Sequence, residues 1–107
     1  KMSAEEHDRL VAAASHLPQV ASTALAAVIG ETEGAARVAG PGAVEMTRLA
    51  MGSWEIWRDI FATNAGEIEG ALDAFIGKLE EMREGLRSAE MAGEFERSGK
   101  AARGLRG

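Results

Sequence analysis

The side chains best suited to bind a ligand lie around a proline near the start of the chain. His16 and Gln19 flank Leu17-Pro18 inside a stretch that is otherwise apolar and helical in pattern. A proline inside a helix removes a backbone hydrogen bond and bends the chain, which frees carbonyls and turns neighbouring side chains towards a cavity. The spacing therefore predicts a kink at Pro18 and a hydrogen-bonding site beside it. The alternative is that His16 is a core histidine bonded to one of the freed carbonyls.

Arg48 and the two tryptophans are the other candidates for a binding site. On the residues alone, Arg48 is expected to form a surface ion pair with Glu45, one turn earlier on a short helix. Trp54 and Trp57 are two of only five aromatic residues in the chain. Their simplest role is to pack onto a long helix, so these patterns do not define a substrate by themselves.

Several common kinds of site are excluded by the sequence. The chain has no cysteine, which rules out disulfides and thiolate metal sites and is typical of a reducing cytosol. His7 and His16 are nine positions apart, which is not a metal-ligand spacing on one helix. No G-x-G-x-x-G motif follows a strand, so no dinucleotide site is expected. Ser15 and His16 are adjacent and point about 100° apart on a helix, so they do not form a catalytic pair.

Length and charge restrict the class of protein further. The 107 residues are enough for one compact domain, and a net charge of −5 argues against nucleic acid as the main partner. The basic residues from Arg97 onward are expected to form a solvated helix face or a frayed tail. No apolar run approaches the roughly 18 residues that a membrane span requires, so no membrane contact is expected. The opening Lys1-Met2 suggests a piece of a longer chain.

Strand signals are almost missing and helix signals are plentiful, which predicts an all-α fold. Ser3 and Glu6 form a capping box that starts a helix over residues 4–29, which Gly30 ends in a left-handed turn. Ser53 and Asn64 have the residue types that cap helices. The later helices are predicted at about 31–38, 43–51, 54–63, 65–88 and 89–103, with a loop over 39–42.

Two apolar patterns predict how these helices pack. The first helix is expected to bury Leu10, Ala14, Leu17, Ala21, Leu25 and Val28, and the last to close the domain with Met91 and Phe95. The long helix carries a heptad stripe, which requires a partner helix along its whole length. The stripe consists of Ile68, Leu72, Phe75, Leu79, Met82 and Leu86. Gly66, Gly70 and Gly77 lie at other positions of the same helix, and a second close-packed helix would offset their cost. A homodimer is therefore predicted.

Four short motifs resemble the C-terminal domain of the prephenate dehydrogenase family in their residues, their order along the chain and their spacing. They are His7-Asp8, Ser15-His16-Leu17-Pro18, Thr47-Arg48-Leu49-Ala50 and Trp57-Arg58-Asp59-Ile60-Phe61. The similarity extends from about Ser3 to Phe95. It implies one all-α domain over residues 1–107, like the C-terminal domain of 6-phosphogluconate dehydrogenase. Its long helices, joined by short ones, would interleave with those of a second subunit in a cytoplasmic homodimer.

The resemblance also implies an activity and a division of labour. The expected reaction is the oxidative decarboxylation of prephenate to 4-hydroxyphenylpyruvate in tyrosine biosynthesis. NAD or NADP and the catalytic side chains would belong to an N-terminal Rossmann domain that this sequence does not contain, so no cofactor, metal or catalytic residue is assigned to this chain. Arogenate as substrate and a non-enzymatic helical dimerisation module are the alternatives. Chorismate mutase is disfavoured because few Arg or Lys residues lie on buried faces.

Six residues match positions of the family that hold the substrate. Arg48 matches an arginine that grips a carboxylate, Trp57 a ring-pocket tryptophan, and Ile56 an apolar contact beside it. His16 matches the first histidine of a His-Leu-Pro-His run, and Gln19 replaces the second. A glutamine can donate and accept hydrogen bonds but cannot become cationic. Glu45 stands where an aspartate is usual, and Val44 stands where a lysine may occur, which removes a positive charge near the pocket. Together with Gln19, these changes imply a site less basic than in other members.

Overall fold

The structure is a computed structural model that describes all 107 residues, and it contains helices and no strands. The all-α prediction is therefore confirmed. The α-helices are α1 (Ala4–Val11), α2 (Leu17–Glu31), α3 (Pro41–Met46), α4 (Trp54–Thr63), α5 (Ala65–Glu84) and α6 (Glu90–Leu105). A π-helical turn joins α1 to α2, and short 3₁₀ helices precede and follow α3; their bounds are Ala12–His16, Ala35–Val38 and Arg48–Met51.

These helices form two compact units, Lys1–Leu72 and Asp73–Gly107. In the first unit, α2 packs against the 3₁₀ helix Arg48–Met51. The second unit contains the last part of α5, a turn and α6. The assignment of residues 1–107 to a single domain remains a prediction.

The first helix starts where the capping box predicts and ends differently. The Ser3 hydroxyl accepts a hydrogen bond from the Glu6 amide at 3.0 Å. Gly30 is still helical, and α2 ends at Glu31, so the predicted left-handed turn at Gly30 is wrong. Thr32 ends the helix in an extended conformation, with its hydroxyl donating to the Val28 carbonyl at 2.7 Å. The left-handed residue is Gly34, at φ 84°.

A π-helical turn lies immediately before Pro18, where the sequence predicts a kink. In this turn the Leu17 amide donates to the Ala12 carbonyl, five residues back. Pro18 is the second residue of α2 and has no amide hydrogen to donate to the preceding turn. The widened turn contains Ala14, whose carbonyl would accept from position 18 in a regular α-helix.

The face of the first helix that packs inward is not the predicted one. Its buried residues are Ala12, Gln19 and Ser22. Of the six apolar residues predicted to be buried, none is, and Val28 is 60% exposed. Gln19 faces the 3₁₀ helix Arg48–Met51, where its side-chain nitrogen donates to the Leu49 carbonyl. Of the predicted residues, Leu17, Ala21 and Leu25 are half-buried and the other three are exposed.

The short helices around α3 differ from the predicted ones at their ends. In the predicted helix 31–38, Glu31 still belongs to α2 and the only other helical residues form the 3₁₀ helix Ala35–Val38. Helix α3 begins inside the predicted loop because Pro41 suits a first helical position. The predicted helix 43–51 is divided at Thr47, whose hydroxyl donates to the Ala43 carbonyl at 2.7 Å.

The second half of the chain follows the prediction more closely. Helix α4 has the predicted bounds, although the Ser53 hydroxyl bonds to the Glu55 carboxylate at 3.0 Å and not to a helix amide. Helix α5 ends at Glu84, four residues early, because the chain turns at Gly85, whose carbonyl accepts from the Ser88 amide at 2.9 Å. Helix α6 extends two residues past the prediction to Leu105.

Few apolar side chains are buried within the protomer. Only Ala12 and Ile68 are buried, no large side chain is fully buried, and fifteen large apolar residues are exposed. On the heptad stripe of α5, Leu79 is 48% and Leu86 66% exposed. On α6, Phe95 does not close the domain as predicted but is 69% exposed. Ile68 at the start of the stripe is buried, and the other three stripe residues are half-buried. The exposed end of the stripe has the character of an interaction surface.

One helical segment, Ala4–Glu31, is long and apolar enough by length and composition to cross a membrane. The expectation that no apolar run approaches spanning length is therefore wrong for this segment. A single helix of this kind near the start of a chain does not by itself indicate a span, because packed helices of soluble proteins and signal sequences share its length and composition.

Candidate functional site

The π-helical turn places His16 at the end of a cleft in the first unit. This His16 cleft has a volume of about 360 Å³ and is lined by His7, Asp8, Val11, His16, Asp59, Ile60, Thr63 and Asn64. Its residues come from α1, the π-helical turn and the end of α4. The polar atoms in it can form hydrogen bonds, but no group of three or more His, Asp or Glu side chains is placed to hold a metal ion.

His16 has two neighbours that set its orientation. Its Nδ1 lies 3.4 Å from the Asn64 side-chain nitrogen. Its ring meets the Trp57 ring edge-to-face, with centroids 5.9 Å apart and planes at 88°. The partner of His16 is therefore a side-chain amide and not a carbonyl freed by Pro18, the alternative that the sequence favoured.

Trp57 also forms one wall of a second cavity, the Trp57 pocket. The pocket has a volume of about 240 Å³ and is lined by Gln19, Thr23, Ala50, Gly52, Ser53, Trp54, Trp57 and Phe61. The tryptophans stack on Phe61, with centroid distances of 5.7 Å from Trp57 and 6.4 Å from Trp54. The aromatic rings thus pack largely on one another along α4, which differs from the predicted packing onto the long helix.

Gln19 is buried between α2 and the 3₁₀ helix Arg48–Met51, at 7% exposure. Its side-chain nitrogen donates to the Leu49 carbonyl at 2.7 Å and to the Thr23 hydroxyl at 3.3 Å. Its side-chain oxygen makes no hydrogen bond within the chain, so the group that Gln19 can offer a ligand is an acceptor.

Gly52 completes the wall of the Trp57 pocket. A Cβ added there would lie 3.2 Å from the Leu49 carbonyl oxygen and 3.3 Å from the Trp57 indole nitrogen. The pocket therefore leaves little room for a side chain at this position. From the sequence, Gly52 is a residue type that ends a helix, and the close approach of Trp57 gives it a second role.

The predicted site residues fall into two groups. His16, Gln19 and Trp57 are brought together: His16 contacts Trp57, and Trp57 and Gln19 share a pocket. Arg48, Glu45 and Ile56 lie outside both cavities and are largely exposed. Arg48 and Glu45 form the expected exposed ion pair, with Nε and Oε1 3.5 Å apart. A substrate contact for any of the six stays a prediction.

Some residues that contact the predicted site residues were not predicted from the sequence. Asn64 was expected to cap α5, but its side-chain nitrogen contacts the Asp8 carbonyl at 3.0 Å as well as His16. It is the only asparagine in the chain. Phe61 belongs to one of the family motifs but had no assigned role, and no local pattern marks Thr23.

The two groups with clearly shifted pKa values lie outside this site, in the second unit. Hydrogen bonds to Glu94 and Glu81 raise the pKa of Lys78, and hydrogen bonds from Lys78 and Arg97 lower the pKa of Glu94. The Glu94 carboxylate is 3.0 Å from the Lys78 nitrogen and 3.2 Å from an Arg97 nitrogen. This ion-pair cluster joins α5 to α6 and has the character of a structural contact.

Comparison with known proteins places these features in context. Residues 3–98 match the family described as prephenate dehydrogenase, dimerization domain. The chain is 32% identical over 94 residues to a cyclohexadienyl dehydrogenase of Zymomonas mobilis, covering 83% of this chain and 32% of that protein. It is 31% identical over 87 residues to a prephenate dehydrogenase of Bacillus subtilis, covering 78% and 24%. The chain thus spans between a quarter and a third of the length of these relatives.

Solved structures have the same fold. A protein of Corynebacterium glutamicum described as a prephenate dehydrogenase superposes with a TM-score of 0.79 at 29% identity, over 94% of this chain and 33% of that one. The arogenate dehydrogenase of Synechocystis gives a TM-score of 0.75 at 23% identity, over 94% and 38%. The second likeness concerns the fold alone.

Proposed function

Because the chain belongs to the prephenate dehydrogenase family, as its dimerisation domain, we propose that it is the C-terminal dimerisation and substrate-wall domain of an NAD(P)-dependent prephenate dehydrogenase. The enzyme converts prephenate to 4-hydroxyphenylpyruvate by oxidative decarboxylation, in tyrosine biosynthesis in the cytoplasm. The observation that carries the proposal is the match of residues 3–98 to the family, together with the assembly of His16, Gln19 and Trp57 in one region.

The dinucleotide belongs to another part of the enzyme. A dinucleotide fold binds the pyrophosphate where a parallel strand turns into a helix, and this chain has helices only. Its residues therefore do not fit NAD or NADP. The cofactor supplies hydride transfer when bound elsewhere, and the present domain contributes contacts to the substrate.

The side chains of the site suit a small ring that carries carboxylates. The Trp57 indole offers an apolar wall for the ring, while His16 and the free oxygen of Gln19 form hydrogen bonds. Arg48 supplies a planar pair of donors for a carboxylate. Its ion pair with Glu45 is exposed on both sides and worth little, so a substrate carboxylate can replace it. Ile56, exposed one residue before Trp57, adds an apolar contact.

Two copies of the chain form the functional unit. The apolar stripe of α5 and the outward face of α2 are open in the protomer, and identical helices from a second copy cover them. The assignment of the matching family as a dimerisation domain supports this arrangement.

Arogenate is the second candidate substrate, and Gln19 favours it. The family resemblance implies a His-Leu-Pro-His run, and this chain has Gln19 in place of the second histidine. Because the Leu49 carbonyl holds the Gln19 nitrogen, only its oxygen remains, and this acceptor suits the ammonium group of arogenate better than the keto group of prephenate. Steady-state kinetics with both substrates distinguish the two candidates.

Replacement of Arg48 tests the proposed function. In the enzyme formed when this domain is joined to its nucleotide domain, Arg48→Ala is expected to raise KM at least tenfold, about 1.4 kcal/mol, because the carboxylate loses its paired donors. Initial-rate kinetics measure the change. Arg37→Ala, which removes another exposed arginine from the preceding 3₁₀ helix, is the matched control and leaves KM unchanged. An Arg48→Ala enzyme with unaltered KM and kcat contradicts the proposal.

A further inference from the structure

Asn64 connects two parts of the first unit through one nitrogen atom. It lies between α4 and α5, and its side-chain nitrogen is 3.0 Å from the Asp8 carbonyl oxygen and 3.4 Å from His16 Nδ1. An amide nitrogen carries two hydrogens and no acceptor, so it can donate to both atoms at once. The contact to His16 is the longer of the two, but both lie in the same cleft.

The Asp8 carbonyl determines which way the Asn64 amide faces. A backbone carbonyl can only accept, so the nitrogen of the amide, and not its oxygen, must point towards it. The same nitrogen then presents a hydrogen to His16 Nδ1. A protonated Nδ1 would set two N–H groups against each other, so Nδ1 is the acceptor and the proton of the neutral ring is on Nε2.

The π-helical turn explains why one side chain reaches both residues. Asp8 and His16 are eight positions apart, which would separate them by about 80° around a regular α-helix. The turn Ala12–His16 inserts one residue, so the two positions come onto nearly one face, as residues seven apart do in an α-helix. In this arrangement one Asn64 side chain contacts both the Asp8 carbonyl and His16.

We propose that Asn64 is a positioning residue that holds His16 as its Nε2–H tautomer, so that Nε2 donates a hydrogen bond to an oxygen of the substrate. The proposal rests on the proposed function for the identity of that acceptor. The edge-to-face contact with Trp57 limits rotation of the ring, so the donor direction is fixed as well as the tautomer.

Nitrogen NMR of the labelled 107-residue chain tests the tautomer directly. The chain has only two histidines, and His7→Gln assigns the signals of His16. In the neutral ring, His16 is expected as the Nε2–H form. Asn64→Asp places an acceptor against Nδ1 and is expected to reverse the preference. Asn64→Ala removes the donor and changes the tautomer ratio by at least about threefold, the effect of one hydrogen bond.

A matched control lies in the same cleft. Thr63 lines the cleft beside Asn64, and Thr63→Val, of nearly equal volume, is expected to leave the tautomer unchanged. An Nδ1–H ring in the unsubstituted chain overturns the proposal without any variant, so the test does not depend on how well the Asn64 variants fold. A folded Asn64→Asp chain whose His16 keeps the original tautomer overturns it as well.

Kinetics of the joined two-domain enzyme complete the test. Asn64→Asp is expected to lower kcat/KM by at least about threefold, since Nε2 no longer donates. Unchanged kinetics with a reversed tautomer overturn the donor role of His16. Arg48→Ala and the Asn64 variants test different claims. If Arg48→Ala has no effect while the Asn64 results are as expected, the carboxylate contact of Arg48 is contradicted and the positioning role of Asn64 is supported. Failure of the proposed function is therefore distinguishable from failure of this inference.

Discussion

Gln19 is a single residue that joins the fold to the site. Its nitrogen ties α2 to the 3₁₀ helix that carries Arg48, and the residue also lines the Trp57 pocket. The Leu49 carbonyl that it binds also accepts from the Gly52 amide at 3.0 Å. The same carbonyl therefore holds in place the glycine that completes the pocket wall.

Loss of the Gln19 side chain is expected to lower the free energy of unfolding by about 1–2 kcal/mol, the cost of one hydrogen bond and a small buried gap. Gln19→Glu, which has nearly the same shape, is expected to cost at least as much, because a buried carboxylate would face the Leu49 carbonyl. Urea unfolding at one fixed chain concentration measures both. A Gln19→Glu chain as stable as the original contradicts the assigned hydrogen bond.

At the scale of elements, the pairing of α5 and α6 within the second unit depends on the ion-pair cluster of Lys78, Glu94 and Arg97. Because these hydrogen bonds lower the pKa of Glu94, its contribution to stability is present above the ordinary value of 4.5 and is lost as the pH falls through the lowered pKa. For Lys78, whose pKa is raised, the contribution is present below 10.5 and is lost at more alkaline pH.

The acid side of this dependence is the easier one to test. Between pH 5 and pH 3, protection of the α6 amides against hydrogen exchange is expected to fall in the original chain and to fall less in Glu94→Gln, which has no charge to lose. Glu96→Gln, an exposed acid on the same helix outside the cluster, is the control and keeps the original dependence. Equal acid sensitivity of Glu94→Gln and the original chain contradicts the assignment.

At the scale of the whole molecule, the main feature is the amount of apolar surface that the protomer leaves exposed. A protomer that buries two apolar residues and exposes fifteen large ones leaves most of its hydrophobic side chains in water. A second copy is the partner that the family assignment supports. Burial of the open α5 stripe then supplies a core that the protomer lacks.

Sedimentation at tens of micromolar is expected to give a dimer for the original chain. Leu79→Glu places a charge on the stripe, which is expected to weaken association by more than a hundredfold, about 3 kcal/mol, because the carboxylate must be buried or the interface opened. Glu80→Gln, on the neighbouring exposed position, leaves the dimer intact. A monomeric original chain, or a dimeric Leu79→Glu chain at the same concentration, contradicts this interface.

Local signals explain which elements could be predicted. The start of the first helix depends on the cap at Ser3, which lies within a few residues of it, so the sequence contains this signal. The bounds of α4 also match the prediction, although the Ser53 hydroxyl does not cap the helix. The ends of α2 and α5 were predicted less well, because the Thr32 hydroxyl and the turn at Gly85 compete with the helix pattern. Only some of the residues assigned from the family motifs lie close together in the structure: His16 and Trp57 are in contact.

By itself, the sequence determined the helical class, most helix starts and the family of the chain, because caps, periodicity and short motifs act over a few neighbouring residues. Only the tertiary structure decided which face of the first helix is buried, that Arg48 lies outside the Trp57 pocket, and that Asn64 meets both Asp8 and His16. The reason is physical: burial and long-range hydrogen bonds depend on which segments approach each other in space. A single extra residue in the π-helical turn was enough to change the side chains that share a face.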